Sequence, residues 1–233
     1  MKKGKLYIIP VLLGGENISD LIPQGTIAIA KGLKHFIVEN EKSARKFLKL
    51  AGAPNQSELQ IIELDKHDDN INYQDLLIPA KEGIDIGLLS EAGAPAVADP
   101  GAAVVNAAHQ LQIKVVPLTG PSSILMALMA SGLNGQSFCF HGYLPIDKDE
   151  RIKKIKLIEK DAQVRKQTQL FIETPYRNNQ LLKDLLTLLP ADMKLCIAAN
   201  ISLPEEYILT QSISSWKKKV PDLHKQPCVF LIL

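Results

Sequence analysis

Hydrophobic residues along this chain gather in short, nearly unbroken runs, separated by longer stretches where they recur every three or four positions. The runs at 6–9, 35–38, 60–64, 84–89 and 113–118 predict strands, because a few consecutive apolar residues between turn formers suit a strand buried on both faces. Between them, residues 41–51 set Ala44, Phe47, Leu48 and Ala51 on one helical face, and residues 101–111 do so with Val104, Val105 and Ala108. Strands alternating with sheet-covering helices predict a mostly parallel α/β sheet. After Pro121 an apolar helix carrying Ile124, Leu125, Ala127, Leu128 and Met129 leads to further strands at 137–140, 169–173, 194–199, 206–210 and 228–233. No long crossover precedes the last two, so this half is expected to contain an antiparallel portion, giving a mixed sheet. The pattern predicts two α/β domains, an N-terminal one over residues 1–118 and a C-terminal one over residues 119–233.

Two of the runs end in loops of Gly, Pro and small residues. Ser90-Glu91-Ala92-Gly93-Ala94-Pro95 continues to Asp99-Pro100-Gly101, and Thr119-Gly120-Pro121-Ser122-Ser123 follows the run at 113–118. Both read as strand, sharp turn and helix start. Ordinary turn chemistry accounts for either loop alone, with Asp99 as a cap and Pro100 at the first helical position. Two such loops at the carboxyl ends of successive strands point to a ligand site, since that edge of an α/β sheet is where small ligands approach the backbone.

Composition narrows the picture further. With 233 residues and 46% hydrophobic content the chain can bury a full core, and its net charge of +2 neither demands nor forbids a nucleic-acid partner. No long uncharged apolar run and no secretory leader pattern is present, so a cytosolic protein without a membrane span is expected. Cys139, Cys196 and Cys228 lie far apart in apolar runs and read as core residues rather than a disulfide framework or metal knuckle. The glycine signatures of dinucleotide sites and P-loops are missing, as are the zincin His-Glu-x-x-His and the Gly-x-Ser-x-Gly elbow. Histidines 35, 67, 109, 141 and 224 are dispersed, and no metal centre is expected.

Five ordered motifs carry a resemblance. Leu6-Tyr7-Ile8-Ile9-Pro10 with Gly14, the Ser90 to Gly101 loop, Val116-Pro117-Leu118-Thr119-Gly120-Pro121-Ser122, Gly142-Tyr143-Leu144-Pro145 and Glu173-Thr174-Pro175-Tyr176-Arg177 follow one another as in the tetrapyrrole (corrin/porphyrin) methylases. Within that superfamily the chain resembles the ribosomal RNA small subunit methyltransferase I branch. The resemblance implies S-adenosylmethionine bound in a cleft between two α/β domains, commonly in a homodimer. It places the cofactor against Pro10, Leu13 and Gly14, against Ser90, Ala92, Gly93, Ala94 and Val97, against Ser122 and Ser123, and against Glu173, Ala198 and Ala199. The expected substrate contacts are Lys42, His141, Arg151 and Arg177.

The motifs also depart from the branch. Val11-Leu12-Leu13-Gly14-Gly15 stands where the branch has Thr-Pro-Ile-Gly-Asn, and Glu39-Asn40-Glu41-Lys42 stands for Glu-Asp-Thr-Arg, exchanging a planar two-pronged donor for a point charge. The branch also continues beyond the last strand, so a chain stopping at Leu233 is expected to lack an RNA-gripping surface. Methyl transfer is an in-line displacement, and a ribose hydroxyl acceptor needs a base; Glu39 is the first candidate, with Glu91 and His141 behind it. Glu39 reads equally well as a helix-start carboxylate facing the dipole of residues 41–51. Residues 149–166 carry Arg151, Lys153, Lys154, Lys156, Lys160, Arg165 and Lys166, either a phosphate-holding surface or the solvated face of an amphipathic helix. Three functions stay open at this point: a methyltransferase on RNA of the small ribosomal subunit, one on a tetrapyrrole-type small molecule, and a cofactor-binding relative without catalysis.

Overall fold

The computed structural model describes residues 2–64 and 71–233; His67 lies outside them. The chain forms two compact units, Met1–Ser122 and Ser123–Leu233. In the first, the elements run β1 (Lys5–Ile9), α1 (Ile18–Leu21), α2 (Gln24–Gly32), β2 (His35–Val38), α3 (Glu41–Leu50), β3 (Gln60–Glu63), α4 (Ile78–Lys81), β4 (Ile86–Leu89), α5 (Gly101–Gln110) and β5 (Lys114–Pro117). The strands pair in the order β3-β2-β4-β1-β5, each pair parallel. Ile9, Phe36, Val38 and Leu89 belong to a core shared with Ala44, Phe47 and Leu48 of α3, whereas Leu6, Ile37, Ile86 and Leu88 belong to one shared with Val104, Ala107 and Ala108 of α5. Helices on both faces explain why these strands lack a polar side. The fourth strand begins two residues later than its apolar run, because the Ile84 N–H closes a turn onto the Pro79 carbonyl at 2.9 Å.

The second unit contains α6 (Ser123–Ser131), β6 (Phe138–Tyr143), α7 (Lys148–Arg165), β7 (Thr168–Ile172), α8 (Asn178–Leu188), β8 (Lys194–Ala199), β9 (Tyr207–Ser212), α9 (Ile213–Trp216) and β10 (Cys228–Ile232). Its sheet has the order β6-β7-β10-β8-β9, with β6 and β7 parallel and the other pairs antiparallel, so it is mixed as the missing crossovers require. Ile155 and Ile158 of α7, Leu181 and Leu185 of α8, and Trp216 form one core with Phe171, Ile197 and Phe230. The Trp216 indole N–H, buried there, donates to the Leu195 carbonyl at 2.8 Å. Helix α8 has no counterpart among the predicted elements, although Leu181, Leu182, Leu185 and Leu186 recur at helical spacing and are buried. Among the described residues no helix is long and apolar enough to cross a membrane.

Candidate functional site

Strands β1 and β4 are neighbours, yet the chain leaves β1 toward β2 and leaves β4 toward β5, in opposite directions across the sheet. Such a reversal opens the carboxyl edge between the strands, and the loops that leave it are free to converge. They do so here through backbone. The Val11 N–H donates to the Gly93 carbonyl at 2.9 Å, and the buried Ser90 hydroxyl donates to the same oxygen at 3.0 Å. Gly93 has φ +74°, and a Cβ on it would stand 3.0 Å from Leu13 Cδ2. A Cβ on Gly120 would run into the ring of Pro10, so the loop after β5 closes on the loop after β1 only because that residue has no side chain. The Thr26 hydroxyl fixes the third loop by donating to the Thr119 carbonyl at 2.8 Å.

Turn chemistry and site geometry coexist in the first loop. Asp99 Oδ1 accepts the N–H groups of Ala96, at 2.7 Å, and Gly101, at 2.8 Å, which holds Ala96 and Ala98 at left-handed φ values of +65° and +60°. Pro100 sits just before the first residue of α5 rather than within it. The expected cofactor residues of this unit therefore divide into two sets. Leu13, Gly14, Ala92, Ala94 and Val97 retain exposed surface, whereas Pro10, Ser90 and Gly93 are buried and shape the loops from behind. Ser122 and Ser123, half-buried, end the first unit and begin α6.

Glu39 follows β2, and its N–H donates to the Leu89 carbonyl at 3.1 Å. Its carboxylate is directed at the first loop, where Oε2 accepts the Glu91 N–H at 2.7 Å. The cap of α3 is Asn40, whose Oδ1 accepts the Ser43 N–H at 2.9 Å. Lys42 is exposed on the first turn of α3. A hollow of about 220 Å³ opens beside the first loop, with Leu13, Gly14, Ser43, Lys46, Phe47 and Glu91 in its wall. Ser43 and Lys46 carry no motif, and only the folded position of α3 brings them there.

In the second unit several expected contacts are committed inward. Arg151 is buried; Nε donates to Asp184 Oδ2 at 2.9 Å, and Nη1 donates to the carbonyls of Ile146, at 2.6 Å, and Pro145, at 3.2 Å. Arg151, an expected substrate contact, thus has its guanidinium held by three oxygens of its own unit. Ala198 and Ala199, expected to line a cofactor pocket, are 0% exposed within β8, held between β9 and β10. Glu173 is buried at the end of β7, where Oε1 accepts from Arg177 Nη2, at 2.6 Å, and from the Thr174 N–H, also at 2.6 Å; Arg177 itself is one-third exposed. Of the basic residues in α7, Lys153, Lys156, Lys160 and Arg165 are exposed, while Ile155, Ile158 and Ala162 face the core.

His141 on β6 is half-buried, with Nε2 donating to Gln169 Oε1 at 2.6 Å. Burial holds its imidazole below the ordinary value, and Lys154 adds to the effect against the opposing bond to Gln169. Burial also raises both inner thiols, Cys196 upward and Cys228 to about 12. Among the described residues no group of three or more His, Cys, Asp or Glu gathers at metal-binding range.

The sequence profile of the family described as Tetrapyrrole (Corrin/Porphyrin) Methylases matches residues 5–216. The chain belongs to this family. Its relatives include the ribosomal RNA small subunit methyltransferase I of Buchnera aphidicola subsp. Schizaphis graminum, 30% identical over 100% of this chain and 79% of that protein. The protein of the same name from Vibrio cholerae serotype O1 is 32% identical over 87% of this chain and 67% of its own length. Among solved structures, the methyltransferase CobJ superposes with a TM-score of 0.66 at 17% identity, covering 98% of this chain and 93% of that one. The uroporphyrin-III-C-methyltransferase from Thermus thermophilus superposes at 0.57 with 18% identity, covering 100% and 92%. These two structures share the fold. This tetrapyrrole methylase family member is an enzyme of the methyltransferase class.

Proposed function

We propose that the protein transfers a methyl group from S-adenosylmethionine to RNA of the small ribosomal subunit, at a ribose 2'-hydroxyl. The observation that carries the cofactor half is the backbone cradle of the first unit. Val11, Gly93 and Gly120 bring three loops together at the carboxyl edge of the sheet, with Ala92, Ala94 and Gly14 at its surface. Small residues let a compact ligand lie against the main chain, which fits the group. When bound, S-adenosylmethionine supplies an electrophilic methyl on a cationic sulfonium. The acceptor half is supported by the relatives, which carry the ribosomal RNA methyltransferase name along most of this chain.

The hydroxyl acceptor must lose its proton as its oxygen gains the methyl carbon, and the residues divide this labour. The Glu39 carboxylate is turned to the Glu91 N–H, and His141 Nε2–H is given to Gln169. Glu91 keeps an exposed carboxylate in the wall of the hollow, so the proton is assigned to it. A cytoplasmic location and a homodimer belong to the same reading, and sedimentation tests the latter. Incubation with methyl-labelled S-adenosylmethionine and either small ribosomal subunits or porphyrinogen precursors decides the acceptor. Label in a ribose of the RNA is the expected result, and label in the small molecule alone overturns the RNA assignment.

A further inference from the structure

We infer that Glu39 is a positioning residue that braces the Ser90–Gly93 loop through the Glu91 amide and so sets both the cofactor cradle and the Glu91 carboxylate. The inference rests on the proposed function for what the loop holds, though the brace itself is a property of the protein alone.

Several bonds tie the loop after β4. The Ser90 hydroxyl closes it on itself at the Gly93 carbonyl, and the Val11 N–H joins that carbonyl to the loop after β1. Both ties act at the Gly93 end. At the other end the loop leaves β4 with Glu91, an exposed residue, and there Glu39 Oε2 accepts its N–H at 2.7 Å. Glu39 is itself anchored, because its own N–H donates to the Leu89 carbonyl at 3.1 Å, which extends the β2–β4 ladder by one bond. Glu39 therefore makes two bonds across the sheet edge, its N–H to the end of β4 and its carboxylate to the loop just beyond it.

A charged acceptor on a backbone N–H makes a shorter and stronger bond than a neutral one, so this tie fixes Glu91 more firmly than a turn alone. Its position matters chemically. Glu91 shares the wall of the hollow with Leu13 and Lys46, and the amide that Glu39 holds precedes Ala92 and Gly93 of the cradle. A shift of about 1 Å at a positioned group is enough to cost on the order of 100-fold in rate. Glu39 acts through the loop and needs to touch neither cofactor nor acceptor.

Glu39→Ala and Glu39→Gln separate this role from that of a base. Glutamine keeps an oxygen that accepts the Glu91 N–H, whereas alanine keeps none. Hydrogen exchange of the Glu91, Ala92 and Gly93 amides in cofactor-free protein should accelerate strongly in Glu39→Ala and much less in Glu39→Gln, whose neutral oxygen keeps a weaker bond. With cofactor, the dissociation constant should rise about tenfold in Glu39→Ala, equivalent to roughly 1.4 kcal/mol. The glutamine variant should restore both cofactor affinity and kcat, with the wild-type pH profile. Loss of kcat in Glu39→Gln at unchanged cofactor affinity overturns the positioning role and makes Glu39 a base. Unchanged exchange in Glu39→Ala also overturns it. Wild-type protein that takes up no S-adenosylmethionine defeats the proposed function instead, and the exchange measurement still decides the brace.

Discussion

The Arg151 guanidinium meets the Asp184 carboxylate at 2.9 Å with both side chains about nine-tenths out of solvent. Asp184 Oδ1 accepts a second bond from Gln180 at 2.9 Å, and Arg151 spans to the carbonyls of Pro145 and Ile146. One cation thereby joins α7, α8 and the loop after β6. Arg151→Ala leaves a buried carboxylate without its counter-ion and should cost about 3–5 kcal/mol, read as a lower midpoint in chemical denaturation. An unchanged midpoint with weakened RNA binding would return Arg151 to the substrate surface.

Glu91→Gln should lower kcat by about 100-fold or more while the dissociation constant for S-adenosylmethionine stays within a factor of two or so, since a general base acts on the acceptor's proton. Single-turnover kinetics at saturating cofactor make the measurement. Full activity in this variant removes Glu91 from proton transfer.

Gly120→Ala and Gly93→Ala should both weaken cofactor binding, by different routes. At Gly120 the new methyl meets the rigid Pro10 ring, so the loops after β5 and β1 must part. At Gly93 the cost is the left-handed backbone, about 1–2 kcal/mol, together with contact on Leu13. Calorimetric titration of each variant against wild type tests this, and Gly120→Ala is expected to be the more damaging.

Acid should destabilise the second unit through His141. Its folded value lies below the ordinary 6.5, so between the two values the unfolded chain binds more protons than the folded one. Stability therefore declines as pH falls through that window and levels off below it. Denaturation midpoints at several pH values, compared with His141→Gln, should show the decline in wild type and a flatter profile in the variant.

The thiols give a chemical readout of burial. Cys228, pushed up to about 12, and Cys196, also raised, should resist alkylation at pH 8 in the folded protein, leaving the partly exposed Cys139 as the reactive one. Mass spectrometry after brief iodoacetamide treatment locates the modified residue.

The first sheet was legible because a strand covered on both faces has no polar side to blur its run: Ile86–Leu89 and His35–Val38 stand out directly. Helix α8 was harder to read, its leucines lying between a proline-containing turn and an apolar strand without a capping signal. At the site, Gly93 and Gly120 announced close backbone approach through residue type alone. The opposite held for charged residues. Sequence shows that Arg151 and Glu39 are ionic, but only the fold shows that one neutralises Asp184 and the other holds an amide of a distant loop. Ala198 and Ala199 present the same difficulty in apolar form, because a small residue in a strand serves a ligand or a tight core equally well.

The strand order of the first sheet governs how the protein is made. Strand β1 pairs with β4 and β5 and has no sequence-adjacent partner, so Ile9 waits for Leu89, eighty residues later, before its ladder closes. At a synthesis rate of about 5–20 residues per second, the amino-terminal strand stays unpaired for roughly 4–16 s on the ribosome. A nascent chain stalled before β4 should be cut readily by protease near β1, and one extended past β5 should resist.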